Sequence, residues 1–132
     1  MAKVECYSVV VANKPGSGAA VLGALRDAGV NFIGVWGYPT GKRKSRIDLV
    51  AEDPALFKKA AKKLKLDLGE KQTAFHVTGE DHPGAVGEIL AKLADQKINV
   101  HAVQAACAGT GRFGALVQVD AADVKKAAKL LA

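Results

Sequence analysis

Cysteine is scarce: Cys6 and Cys107 are the only two in 132 residues, and they lie far apart. A secreted scaffold stapled by disulfides is therefore not the expected class. No Cys-x-x-Cys occurs, and His76, His82 and His101 stand at none of the short spacings that structural zinc favours. No metal site is expected. No apolar run approaches the ~20 residues that a membrane helix needs. Glu5 and Asn13 interrupt the short apolar run at 9–12, so no secretory leader is expected. A soluble cytoplasmic protein is the default. Catalytic groupings are missing as well: no Ser/His/Asp or Cys/His set sits on a recognisable turn. Paired carboxylates occur only at helix ends, where capping accounts for them. Neither an enzyme nor a cofactor is expected.

What the chain does have is a repeated unit. After Asp81-His82-Pro83-Gly84, the residues Val86, Ile89, Leu90 and Leu93 recur at three- and four-residue steps, which is one apolar face of a helix. Pro83 suits the first helical position, and Asp81 and His82 precede it as candidate caps. Gly84 has no Cβ, so a small anion or carboxylate can approach the amides of the helix start. Ile98-Asn99-Val100 then opens a β-branched strand. Asn13-Lys14-Pro15-Gly16 heads a second unit of this kind, 68 positions earlier (15 against 83). The same offset relates Gly16 to Gly84, Leu22 to Leu90, Leu25 to Leu93 and Asn31 to Asn99. It reaches from Tyr7/Phe75 to Ala51/Val119, then drops to 67 at Lys58/Lys125, where one residue has been lost before a helix. The chain is an internal duplication.

The order of elements follows from this. The first copy reads as a strand at 4–11, a helix to about Asp27 closed by Gly29, and a second strand at 30–38. A hairpin turn at 39–44, a strand at 45–51 and a helix from Pro54 to about Leu64 complete it, with room for a short fourth strand at 65–68. The second copy repeats the order and stops after its last helix. The predicted fold class is α+β: two ferredoxin-like βαββαβ repeats, an antiparallel sheet with helices on one face, and the last strand of the second repeat missing. The boundaries fall at 1–68 and 69–132. Such a truncation exposes the first strand of the second copy, and natural proteins rarely leave a long edge bare. A homodimer, or another segment of this chain, is expected to cover it.

The two Pro-Gly units resemble the ACT domain, a small ferredoxin-like module of amino-acid-dependent regulation, in two tandem copies. The residues that carry the resemblance are Asn13-Lys14-Pro15-Gly16 with Gly29-Val30-Asn31-Phe32, and Asp81-His82-Pro83-Gly84 with Lys97-Ile98-Asn99-Val100. It implies a non-enzymatic regulatory protein that holds a small amino acid or related metabolite between paired domains. By that resemblance Asn13, Pro15 and Gly16 are the loop contacts of one site, and Asp81, His82, Pro83 and Gly84 those of the other. Asn31 and Asn99 are the strand contacts, and His101 lies beside Asn99. If the copies pair through their second strands, Asn13 and Gly16 meet Asn99 and His101, while Asp81 and Gly84 meet Asn31. The site with Asp81 is then expected to be the tighter one, because a carboxylate holds an ammonium by a charge-assisted bond. Some family members carry a polar residue two positions before the Asn or Asp, where this chain has Val11 and Gly79.

The remaining motifs have plainer readings. Gly109-Thr110-Gly111-Arg112-Phe113-Gly114 spells a dinucleotide fingerprint but lies between two antiparallel strands and opens no helix, so it is a hairpin turn. The net charge of +6 comes mainly from Lys42-Arg43-Lys44-Ser45-Arg46 and from the lysine-rich helix at 58–65. Lysines at helical spacing form a solvated face. A basic interaction module for nucleic acid or a protein partner is the alternative reading. Base stacking on a central strand requires aromatics there; Tyr7, Phe75 and Phe113 are the available ones, and their spacing is that of core positions. Trp36 and Tyr38 share a face of an edge strand, to pack on a neighbouring copy or to stack on a ligand.

Overall fold

In the computed structural model all 132 residues are described, and each half of the chain runs β-α-β-β-α. The first half comprises β1 (Ala2–Ala12), α1 (Ser17–Asp27), β2 (Phe32–Pro39), β3 (Lys44–Ala51) and α2 (Pro54–Lys63). The second comprises β4 (Gln72–Glu80), α3 (Ala85–Asp95), β5 (Val100–Cys107), β6 (Arg112–Val119) and α4 (Val124–Leu131), which follows a single 3-10 turn at Ala121–Asp123. By packing, the chain divides into Glu5–Lys71 and a second unit that joins Met1–Val4 to Gln72–Ala132. All six strands pair antiparallel, and the fold class is α+β with ferredoxin-like repeats.

In the first unit β3 lies between β1 and β2, with Val9 opposite Ile47 and Val35 opposite Leu49. The period of two puts Ile47, Leu49 and Ala51 on one face. There they join Tyr7, Val9, Leu25 and Phe57 in a buried core. Phe57 is fully buried, with the rings of Tyr7 and Phe32 meeting it edge-on at centroid distances of 5.9 and 5.2 Å. In the second unit β6 lies between β4 and β5, and Phe75, Leu93, Phe113, Val117 and Ala127 form the corresponding core. Tyr7, Phe75 and Phe113 are buried, as their spacing predicts.

Two expectations require correction. Neither proline occupies the first helical position: α1 and α3 begin at Ser17 and Ala85, after Gly16 and Gly84. Those glycines have φ of 89° and 84°, in the left-handed region that side chains avoid, and no side chain caps either helix. Asp81 and His82 are therefore not caps; the tight Pro-Gly turn leaves no extended residue to serve as one. The short strand at 65–68 is also absent. The segment after α2 makes one backbone hydrogen bond to β1, from the Gly69 N–H to the Ser8 carbonyl at 2.8 Å. One bond does not make a ladder. Only α2 is capped by a side chain, Asp53 accepting from the Leu56 N–H at 3.2 Å with Pro54 following it.

Candidate functional site

The two Pro-Gly loops have one backbone. The Asn13 N–H donates to the Arg43 carbonyl at 3.0 Å, and the Asp81 N–H donates to the Gly111 carbonyl at 2.9 Å, in register with the repeat. Each helix then starts alike, Ala20 to Gly16 and Glu88 to Gly84, both at 2.9 Å. The hairpin of each unit is thus tied to the loop in front of its first helix.

In the first unit this arrangement borders an open cleft of about 340 Å³. Its walls are the end of β1 and the loop (Val11–Lys14), the start of α1 (Ser17, Gly18, Leu22), the far half of β2 (Val35, Gly37–Pro39), and Ser45 and Ile47 of β3. Small residues make the space. A Cβ on Gly18 would lie 3.7 Å from Ile47 Cδ1, and one on Gly37 would lie 3.6 Å from Ile47 Cγ1. The polar groups are few: Lys14, the Ser17 hydroxyl, and Ser45, whose Oγ donates to Asn13 Oδ1 at 3.0 Å. A small, mostly apolar cleft with a few placed polar groups at a helix start is suited to a small anionic or zwitterionic metabolite.

The other face of the same strands carries a charged cluster. Asp48, 3% exposed, accepts from Tyr38 Oη at 3.0 Å on one oxygen and from Arg46 Nε at 2.9 Å on the other. Partial burial, and then the bond to Asp48, raise the Tyr38 phenol above its ordinary 10.0. Burial alone would pull the Arg46 guanidinium down; the bond and charge of Asp48 outweigh it and hold the group above its usual range. Tyr38 thus braces the outer strand that walls the cleft. Trp36, paired with Asp48, lies half-buried on this face.

Of the residues picked from sequence, Asn13 lines the cleft, and Pro15 and Gly16 form the exposed turn beside it. Asn31 stands at the opposite end of β2, where its Nδ2 donates to Glu52 Oε2 at 2.8 Å. In the second unit Asp81, Pro83 and Gly84 form the exposed loop. His82 is exposed too, with its Nδ1 2.9 Å from the Pro83 carbonyl and its Nε2 3.8 Å from Glu88. Asn99 is exposed just before β5, and His101 Nε2 lies 3.9 Å from Asp120 Oδ2. Sequence reasoning missed Lys14, Ser17, Gly18 and Ser45 as cleft residues. The signal was available in the repeat, because Gly18 and Ser45 align with the bulky Val86 and Phe113.

No family model and no curated protein matches this sequence. Solved structures do. A protein from Bacteroides thetaiotaomicron is similar at a TM-score of 0.85 and 16% identity, over 98% of this chain and 86% of that one. The ligand-free regulatory subunit of aspartate kinase from Thermus thermophilus is similar at 0.66 and 12% identity, over 98% and 89%. Aspartate kinase from Clostridium acetobutylicum, an allosteric enzyme, is similar at 0.57 and 18% identity, over 98% of this chain but only 32% of its own. This chain thus spans about a third of that enzyme's length. These neighbours include regulatory subunits of aspartate kinase, and no helix here is long and apolar enough to cross a membrane. The chain shares the fold of these structures, a ferredoxin-like unit in two tandem copies.

Proposed function

We propose that this chain is a cytoplasmic, non-enzymatic regulatory protein that binds a small amino acid or related metabolite at its Pro-Gly helix starts. The observation that carries the reading is the 340 Å³ cleft at Asn13 and the start of α1, whose size and sparse polar lining suit such a ligand. The fold shared with regulatory subunits of aspartate kinase supports it. Asn13, Pro15 and Gly16 form one candidate loop, and Asp81, His82, Pro83 and Gly84 the other. A homodimer belongs to the reading, and so do Asn31, Asn99 and His101 as strand contacts of the ligand. For Asn31 this requires release of its bond to Glu52.

The test is a thermal-shift screen of the purified chain against the proteinogenic amino acids. A ligand at ~100 times its dissociation constant stabilises by about 2.7 kcal/mol. With roughly 2.1 cal/mol/K of unfolding entropy per residue, that is a rise of about 10 °C. If no amino acid shifts the melting temperature while an oligonucleotide does so in a salt-dependent way, the chain is a basic nucleic-acid module instead.

A further inference from the structure

We propose that the chain holds one ligand, in the cleft of the first unit, that Phe113 occupies the corresponding volume of the second, and that the ligand carries net negative charge. This rests on the amino-acid-binding reading above and narrows it.

The two loops share their backbone, down to the hairpin bond and the left-handed glycine, so what fills the space between helix start and sheet decides whether a cleft exists. The cross-strand pair beneath α1 is Val11 opposite Ser45; beneath α3 it is Gly79 opposite Phe113. Phe113 is 8% exposed, and a Cβ on Gly79 would stand 2.9 Å from its Cε1, so the ring lies directly on that glycine. Val86 stands where the first unit has Gly18, and packs on the same core. An aromatic ring and an isopropyl group replace a hydroxymethyl and a hydrogen. The repeat that carries Asp81 is the filled one, which reverses the affinity order expected from sequence.

Charge distinguishes the open cleft too. Lys14 lines it and no Asp or Glu does. Lys42, Arg43 and Lys44 are exposed on the hairpin tied to Asn13. The helix start adds its amides. Positions 12–14 of the first loop correspond to Glu80, Asp81 and His82 in the second, an acidic counterpart. A ligand with a second carboxylate is attracted to the first loop and repelled by the other.

The experiment is amide NMR of the 15N-labelled full chain, titrated separately with L-aspartate, L-glutamate, L-asparagine and L-glutamine, with calorimetry for stoichiometry. An acid, and not its amide, should shift residues 13–18 and 37–45, leave 81–86 unmoved, and bind once per chain. Ser45→Phe and, independently, Gly18→Val should each lower the affinity at least tenfold while the second unit's resonances stay in place. If Ser45→Phe does not fold, Gly18→Val decides. Two ligands per chain, shifts confined to 81–86, or unchanged affinity in the folded variants would overturn the single-site assignment. Equal or tighter binding of the amides, or of a neutral or cationic amino acid from the screen, would overturn the charge assignment and leave amino-acid binding intact. No binding by any amino acid overturns both readings together.

Discussion

Replacing Tyr38 by Phe removes one oxygen and one hydrogen bond, and the structure sets the expected cost. The lost bond runs to Asp48, a carboxylate only 3% exposed, which keeps its 2.9 Å bond to Arg46 on the other oxygen. A hydrogen bond to a charged group contributes about 1.5–3 kcal/mol. Tyr38 is 41% exposed, so water takes over part of its role, and the lower end, about 1.5 kcal/mol, is expected. At roughly 2.1 cal/mol/K per residue, that lowers the melting temperature of a chain of this length by about 5 °C. Asp48→Ala should cost about twice as much, because both bonds go. A double-mutant cycle should show that Tyr38→Phe adds little once Asp48 is gone.

The pH dependence follows with a definite sign. The folded phenol of Tyr38 is raised above 10.0, so its contribution is complete below that value. It is lost as pH climbs through the folded value. Tyr38→Phe should therefore flatten part of the stability loss above about pH 10. Tyr7, raised likewise by burial and by Glu5, remains in the variant as an internal comparison. Urea denaturation from neutral to alkaline pH is the assay. A Tyr38→Phe cost below about 0.5 kcal/mol, the scale of an ordinary surface change, would refute the bracing role assigned to this residue.

Two further outcomes are expected. Phe57→Ala should cost about 3–5 kcal/mol, because a fully buried ring and two edge-on aromatic contacts are lost together. A urea midpoint that barely moves would show that this core collapses around the gap. Gly16→Ala should cost about 1–2 kcal/mol, and from backbone strain alone, since φ is 89° and a Cβ there meets no atom within 4 Å. Equal stability of the two proteins would mean that the loop relaxes into another turn.

The duplication, the order of elements apart from the strand expected at 65–68, the antiparallel α+β class and the core positions were legible in the chain. They rest on local signals: apolar spacing, Pro-Gly turns, and an offset that carries Tyr7 onto Phe75 and Leu25 onto Leu93. Asn13, Pro15 and Gly16 were legible as a loop beside a helix start for the same reason. The cleft was not, because its walls come from β1, α1, β2 and β3 together. The sequence lists Gly18, Gly37 and Ser45 as separate small residues; only packing turns them into one volume. Packing also separates two loops that share the Pro-Gly turn, by laying Phe113 across Gly79 in one and leaving Ser45 bonded to Asn13 in the other. Whether a repeated turn becomes a cleft depends on side chains far along the chain that meet there only after folding.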